Sequence, residues 1–384
     1  MPRMTNKRTP LYDVHMALGA RVIDFGGWDM PVQYEGIIPE THATRRQVGL
    51  FDIGHMGRIE LIGPDHARAA DWVMTCDVLA LKTGRIKYGI LSTERGTAID
   101  DVLVYCDVDR THLVINAGGR DGDLKHVREQ IAAKKFNVKA VAATDANEPN
   151  IKETVIGCAQ QMLALQGPNS EKLLQPMVDK ATDLSKLGYY RLTRGQVLGL
   201  KAIISRTGYT GEDGFEIFFD ARESKRMWAA LLESGKNLGV KPIGLGARDA
   251  LRTEAGMPLY GHELDLDTTP LEARLDFGVQ LTGGPFLGKE ALERQKRDGI
   301  KKALVGFEVD TKRVPRNGCP LLKNGERIGV VASGTFAPTL DKNIGMGFVP
   351  PSLVEPGSKF DVDIRGGVHG CTVVPLPFYK RAKK

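Results

Sequence analysis

Met162-Leu163-Ala164-Leu165-Gln166-Gly167-Pro168-Asn169 is an apolar run stopped by a Gly-Pro turn, and it has an earlier counterpart. Arg58-Ile59-Glu60-Leu61-Ile62 alternates and then stops at Gly63-Pro64-Asp65. A helical pattern opens behind each turn, with Ala67, Ala70, Trp72 and Val73 in the first case and Leu173, Leu174 and Met177 in the second. Proline suits the first turn of a helix, where its missing N–H is not needed. Strands of hairpin type follow. After the first unit come Tyr88-Gly89-Ile90-Leu91, Asp101-Val102-Leu103-Val104-Tyr105 and His112-Leu113-Val114-Ile115. After the second come Lys201-Ala202-Ile203-Ile204-Ser205 and the stretch from Phe215 to Phe219. Helical patterns close the halves, from Gly122 to about Lys134 and from Arg222 to Leu238. Two similar strand–helix–strand–strand halves are the simplest architecture. Chance recurrence of a Gly-Pro turn is the competing reading.

From about Ala303 the texture changes to short strands separated by Gly, Pro and Asn, such as Leu304–Val309, Gly329–Val331, Gly345–Val349 and Val373-Val374. This spacing predicts a small antiparallel barrel. The link lies around Leu281 to Arg297, where Phe286-Leu287-Gly288-Lys289-Glu290 begins a helix. At 384 residues, with 42% hydrophobic and 26% charged content, the chain reads as a globular protein of two or three domains. No stretch approaches the roughly 18 apolar residues of a membrane span. The basic N-terminus is followed by no apolar core, which argues against a secretory signal. Five dispersed cysteines without a CxxC pair point to reduced thiols in a cytosol-like compartment, and away from a zinc site. The net charge of +6 comes partly from clustered ends. Without a basic stripe interleaved with aromatics, it argues against nucleic-acid binding and fits an acidic protein partner or a polyanionic small molecule.

Three constellations carry candidate chemistry. Tyr209-Thr210-Gly211-Glu212-Asp213-Gly214-Phe215-Glu216-Ile217 reads as a tight turn feeding a strand. Phe215, Ile217 and Phe219 share one face, with Glu216 and Phe218 on the other. Glu216, two residues past a Gly turn, is placed for a ligand rich in N–H donors, such as a pterin; a surface hairpin with a solvated Glu fits the same letters. Asp100-Asp101 opens the strand Val102-Leu103-Val104, so one carboxylate turns inward and the other outward. An inward one beside a reacting amine can orient it and stabilise positive charge. Arg248 stands early in the helical stretch Arg248–Glu254, behind Gly244-Leu245-Gly246, where glycines let a ligand approach the backbone. Asp249 is spaced to pair with Arg252, whereas Arg248 has no acid three or four residues away. Neither His55-Met56 nor His262–Asp267 has metal-site spacing, and no HExxH, Walker A or GxGxxG lies in a suitable context. No metal is expected.

Together these segments resemble the aminomethyltransferase (T-protein) family of the glycine cleavage system. The likeness runs from Thr9-Pro10-Leu11-Tyr12-Asp13-Val14-His15 through Phe25–Tyr34, Leu50–Met56, Ile99-Asp100-Asp101 and Leu163–Pro168. It continues through Tyr209–Ile217, Gly244–Asp249, Leu259–His262, Thr268–Glu272 and Pro377-Phe378-Tyr379. It implies an α+β fold: a three-domain cloverleaf of two interlocked α/β domains and a C-terminal antiparallel β-barrel around a central folate channel. Residues 1–280 would form the folate-binding region and 299–384 the barrel. The implied reaction moves the methylene of an aminomethyl group from the lipoyl arm of H-protein to tetrahydrofolate, the co-substrate, with release of ammonia in the cytoplasm. By resemblance Asp101 is catalytic, with Asp100 left a turn-stabilising or solvated role. Glu216 and Arg248 would bind the pterin, and Met56, Tyr88, Asn116 and Tyr379 would line the channel. Tyr189 and Tyr190 remain alternatives for one further lining position.

Two rivals share this fold. A folate-dependent demethylase would use the same pocket, but the continuous similarity at Phe25–Tyr34 and Thr268–Glu272 favours the T-protein. A non-catalytic folate-binding protein linked to iron–sulfur assembly would carry a Lys-Gly-Cys motif, where this chain has Thr207-Gly208-Tyr209-Thr210-Gly211-Glu212.

Overall fold

The computed structural model describes residues 6–382. The chain opens with α1 (Tyr12–Ala17), a ribbon of β1 (Arg21–Phe25) and β2 (Trp28–Gln33), then α2 (Ile37–Arg46) and β3 (Val48–Asp52). A first repeat follows: β4 (Gly57–Ile62), α3 (His66–Val73), β5 (Arg85–Ser92), β6 (Ala98–Cys106), β7 (Arg110–Ile115), α4 (Arg120–Lys134) and β8 (Lys139–Ala142). The second is β9 (Gln160–Gln166), α5 (Ser170–Leu174), β10 (Leu192–Val197), β11 (Leu200–Ser205), β12 (Gly214–Asp220), α6 (Ser224–Ser234) and β13 (Val240–Pro242). Element types recur in the same order. So do the sheets, β5-β6-β7-β4-β8 in the first and β10-β11-β12-β9-β3-β13 in the second. Only β3 breaks the match. It precedes the first repeat in sequence yet lies in the second sheet, antiparallel to β9 and parallel to β13. That exchange interlocks the two α/β halves.

The recurrent Gly-Pro turn has one physical cause in both places. Gly63 and Gly167 have φ of 139° and 125°, and a Cβ there would run into the carbonyl oxygens of Asn137 and Thr44, respectively. Only glycine accepts that backbone at such an approach. In the second half Phe215, Ile217 and Phe219 share a face with Leu163 and Leu165 and pack against Trp228 and Leu231 of α6. Full burial of each such side chain contributes on the order of 1.5–3 kcal/mol.

Three local expectations are corrected. The helix read over Arg222–Leu238 is a 3-10 turn (Ala221–Glu223), α6, and a second 3-10 turn (Lys236–Leu238), broken at Gly235. Helix α7 (Leu245–Glu254) begins before Arg248. Gly244 and Gly246 are packed on Val32 and Ile37, where a Cβ would collide, so they serve packing and do not open the backbone to a ligand. Edge strand β10, with only Leu192 and Val197 buried, is too sparsely apolar to be read from its sequence.

The remainder comprises α8 (Lys289–Asp298) and a closed barrel of β14 (Ala303–Val309), β15 (Pro320–Lys323), β16 (Glu326–Ala337), β17 (Lys342–Val349), β18 (Lys359–Ile364) and β19 (Gly367–Val374). Phe307, Leu321, Val331, Phe360 and Val362 fill its interior. The chain divides into two compact units. The first takes residues up to Gly89, Val102–Gly208 and Glu212–Ala247; the second takes Ile90–Asp101, Tyr209–Gly211 and Arg248 onward. No helix among the described residues is long and apolar enough to cross a membrane.

Candidate active site

In the first unit the site is built around Glu216. Strand β12 lies between β9 and β11, which sets Glu216 opposite Ala164 and Ser205. The carboxylate is not that of a solvated hairpin, because the residue is only 7% exposed. Its Oε2 accepts from Thr207 Oγ1 at 2.5 Å and from the Tyr105 hydroxyl at 3.3 Å, and Thr207 Oγ1 shares a 2.8 Å hydrogen bond with Ser205 Oγ. Burial first, then the Glu216 charge, pushes the Tyr105 phenol well above its ordinary value. Tyr105 therefore keeps its proton and remains a donor. The two acids of the preceding turn have structural work: Glu212 pairs with Arg45 at 3.0 Å, and Asp213 is gripped by Arg206 at 2.9 and 2.6 Å.

Tyr105 and Thr207 escaped the sequence reading. The available signals were a lone hydroxyl ending the apolar run Val102-Leu103-Val104 and a threonine two residues beyond Ser205, the strand partner of Glu216. Tyr190 is close enough to Tyr105 to act on it electrostatically, whereas Tyr189 is 47% exposed. The two rings meet edge to face at 4.9 Å. Met56, Tyr88 and Asn116 are all half-buried. Met56 follows β3, Tyr88 lies within β5, and Asn116 directly follows β7.

In the second unit Asp101, Tyr209 and Arg248 come together. The Arg248 guanidinium lies 4.3 Å from the centroid of the Tyr209 ring, whose hydroxyl donates to Pro258 O. Burial pushes the Tyr209 phenol well up; Asp101 and Glu263 push the same way, against Arg252 and Arg248. Arg252 on the same helix is a structural cation, buried and held by Asp249 at 2.8 Å, Glu263 at 3.0 Å and Ser333 Oγ at 2.7 Å. Tyr379 is half-buried, and its N–H donates to Glu254 O at 2.8 Å.

The aspartate pair departs from expectation on one side. Both residues lie within β6, where alternation leaves Asp101 half-buried and turns Asp100 inward at 1% exposure. Asp100 is therefore neither solvated nor part of a turn. It shares the buried face with Ala98 and Val102.

A buried carboxylate served by rotatable hydroxyls can accept from the donor edge of a heterocycle, since hydroxyls reorient where backbone donors cannot. A guanidinium seated on an aromatic ring presents a planar set of donors. A half-buried aspartate can stabilise positive charge on an amine.

Residues 11–283 match the family model described as the GCVT N-terminal domain, and 302–380 match the glycine cleavage T-protein C-terminal barrel domain. The chain is 45% identical over 377 residues to an aminomethyltransferase of Desulfitobacterium hafniense, covering 98% of each. Against an aminomethyltransferase of Rubrobacter xylanophilus it is 46% identical over 382 residues, covering 99% of this chain and 96% of that one. The crystal structure of glycine cleavage system aminomethyltransferase T from Bartonella henselae matches with a TM-score of 0.88 at 32% identity, over 97% of this chain and 98% of that one. The chain belongs to the glycine cleavage T-protein family of aminomethyltransferases.

Proposed function

We propose that the protein is the aminomethyltransferase of the glycine cleavage system, acting on aminomethylated lipoyl H-protein and tetrahydrofolate. The observation that carries this reading is similarity at 45–46% identity across nearly the whole of both chains. The methylene carbon leaves the lipoyl sulfur and the amine nitrogen and ends bonded to N5 and N10 of the folate. The two N–H protons of the folate go to sulfur and nitrogen, leaving a dihydrolipoyl arm and ammonia. Residues 1–280 form the folate-binding region and 299–384 the barrel in this reading, in keeping with family-model spans of 11–283 and 302–380.

Glu216 receives the N–H edge of the pterin, with Tyr105 and Thr207 fixing the carboxylate. Arg248, braced on Tyr209, meets a pterin carbonyl. Asp101 stands beside the reacting amine, orienting it and offsetting positive charge as the methylene transfers. Met56, Tyr88, Asn116 and Tyr379 line the folate, and of the two adjacent tyrosines Tyr190 joins them, because it is half-buried where Tyr189 is exposed. The compartment is the cytoplasm. All five cysteines are free, and burial pushes the thiols of Cys76 and Cys371 up to about 12, so both stay protonated.

The test is ammonia release from aminomethylated H-protein with and without tetrahydrofolate. Rapid release that requires folate is expected. Release that ignores folate, or folate-dependent demethylation of a small amine with H-protein inert, overturns the assignment.

A further inference from the structure

A cavity of about 530 Å³ in the first unit is lined by none of the residues assigned to folate. Its wall includes Lys7, Arg8, Arg58, Arg120 and Arg128 against only Asp121, Asp145 and Glu148. Most of these charges are already matched. Arg128 pairs with Glu148 at 2.9 Å, Lys7 with Asp121 at 3.3 Å, and Arg8 with Asp29 at 2.8 Å. Arg58 and Arg120 are the exceptions: among the described residues, neither has a carboxylate within ion-pair distance.

Arg58 is only 3% exposed. Its terminal nitrogens donate to Met56 O at 2.9 Å and Gln160 O at 2.6 Å, and its buried Nε donates to nothing among the described residues. Arg120 donates to the Thr144 hydroxyl and to His55 O, and its guanidinium lies 5.1 Å from the Trp28 ring centroid. Burial, aided by the charge of Arg120, pulls the Arg58 guanidinium down to about 9. Arg58 is buried and Arg120 half-buried; Asp52 acts on the first, and Asp121 and Asp145 on the second, only from beyond ion-pair distance, and a buried charge without a contacting partner is costly. Arg120 is also the first residue of the 15-residue helix α4, whose N-terminal end favours negative charge.

We infer that this cavity is a binding site for a small oxyanion, a carboxylate or a phosphate, held by Arg58 and Arg120 with any apolar portion against Trp28 and Ile115. A guanidinium pair matches the planar geometry of a carboxylate or two oxygens of a phosphate. The Trp28 ring supplies an optical reporter in the wall.

The experiment titrates the full-length protein with sodium phosphate and, separately, sodium glutarate at fixed ionic strength, following tryptophan fluorescence and the thermal midpoint. A saturable fluorescence change with a rising midpoint is expected for at least one anion. Response to phosphate alone or to glutarate alone assigns the source, and either supports the site. Arg58→Gln would leave buried carbonyls without their donor and can fail to fold, so Arg120→Gln carries the test. It should bind at least about tenfold more weakly, the loss expected for a charge-assisted hydrogen bond. Arg120→Lys should recover part of that affinity. Trp28→Phe should lose the fluorescence change but keep the midpoint rise. The inference fails if neither anion saturates, if Arg120→Gln follows the wild-type curve, or if Arg120→Lys binds no better than Arg120→Gln.

Discussion

Three residues before the glycine of each Gly-Pro turn stand Glu60 in the first sheet and Ala164 in the second. Strand register pairs Glu60 with His112 and Ala164 with Glu216, so His112 and Glu216 hold equivalent places in the duplicated sheets. One strand further, His112 pairs with Tyr105 and Glu216 with Ser205. The same cross-strand pair thus carries its acid on opposite strands in the two sheets, and the two acids are served differently. Glu60 is fully buried and met by Arg110 at 3.0 Å, Gln160 Nε2 at 2.7 Å, Val155 N at 3.0 Å and His112 Nδ1 at 3.6 Å. Those donors are a cation, an amide and a backbone N–H, all locked by the fold. Glu216 Oε2 is met by the hydroxyls of Thr207 and Tyr105, and the residue opposite it in the register is the small Ala164. A buried acid by itself therefore says little about function. The kind of donor that serves it says more.

The largest effect lies outside both pairs and sets the scale for them. Asp101→Asn keeps the shape of the side chain but removes the charge proposed to stand by the reacting amine. Single-turnover transfer from pre-loaded H-protein at saturating folate should slow by about 10²–10⁴, with folate binding largely kept. A near-normal rate would remove Asp101 from the chemistry. Asp100→Asn is the control with a different signature, since a buried side chain predicts lost stability before lost turnover. Next comes Glu60→Gln, which removes the buried charge that Arg110, Gln160 and Val155 N–H serve, while Asp109 still pairs Arg110 and Asp107 still pairs His112; it should destabilise the fold by about 1–3 kcal/mol. Denaturant unfolding measures that cost, and calorimetry on the folded variant should find folate affinity unchanged. Normal stability would break the contrast between the two sheets.

Glu216→Gln and Arg248→Ala should reverse the Glu60 result, weakening folate binding by about 1.5–3 kcal/mol each while leaving a folded protein. Unchanged affinity in both variants, measured by titration calorimetry, would sink the pterin assignment. How much of this was readable in advance divides by range. The Gly-Pro turns announced the duplication because their glycines answer a local backbone demand, and alternation after the Gly214 turn placed Glu216 on its face correctly. The barrel was likewise visible in its strand spacing. The insertion of β3 into the second sheet was not, since pairing partners lie far apart in sequence and its letters match either sheet. The Tyr105 contact to Glu216 spans 111 residues, and no periodicity reports a hydroxyl meeting a carboxylate across that distance. Asp100 was misjudged because composition marks an aspartate near a turn as solvated, whereas the pleat of β6 turns it inward.

The smallest effect is the sharpest test of how Glu216 is held. Tyr105→Phe deletes only a hydroxyl, and the contact it removes, at 3.3 Å, is longer than the 2.5 Å bond from Thr207. The ring should stay, because it packs edge to face on Phe218 with centroids 5.6 Å apart. At that length the bond to the carboxylate is weak, with a net worth of about 0.5–1.5 kcal/mol, so folate should bind roughly twofold to tenfold more weakly. If the hydroxyl merely positions the carboxylate, the loss falls on the folate KM, and kcat at saturation stays near wild type. Thr207→Val, which removes the shorter bond, should move the folate KM further in the same direction. Steady-state kinetics with folate varied at saturating H-protein separate the two parameters. A fall in kcat of Tyr105→Phe comparable to that of Asp101→Asn would mean that Tyr105 takes part in the chemical step. An unchanged KM in both variants would mean that Glu216 needs neither hydroxyl, and the contrast with Glu60 would then rest on burial alone.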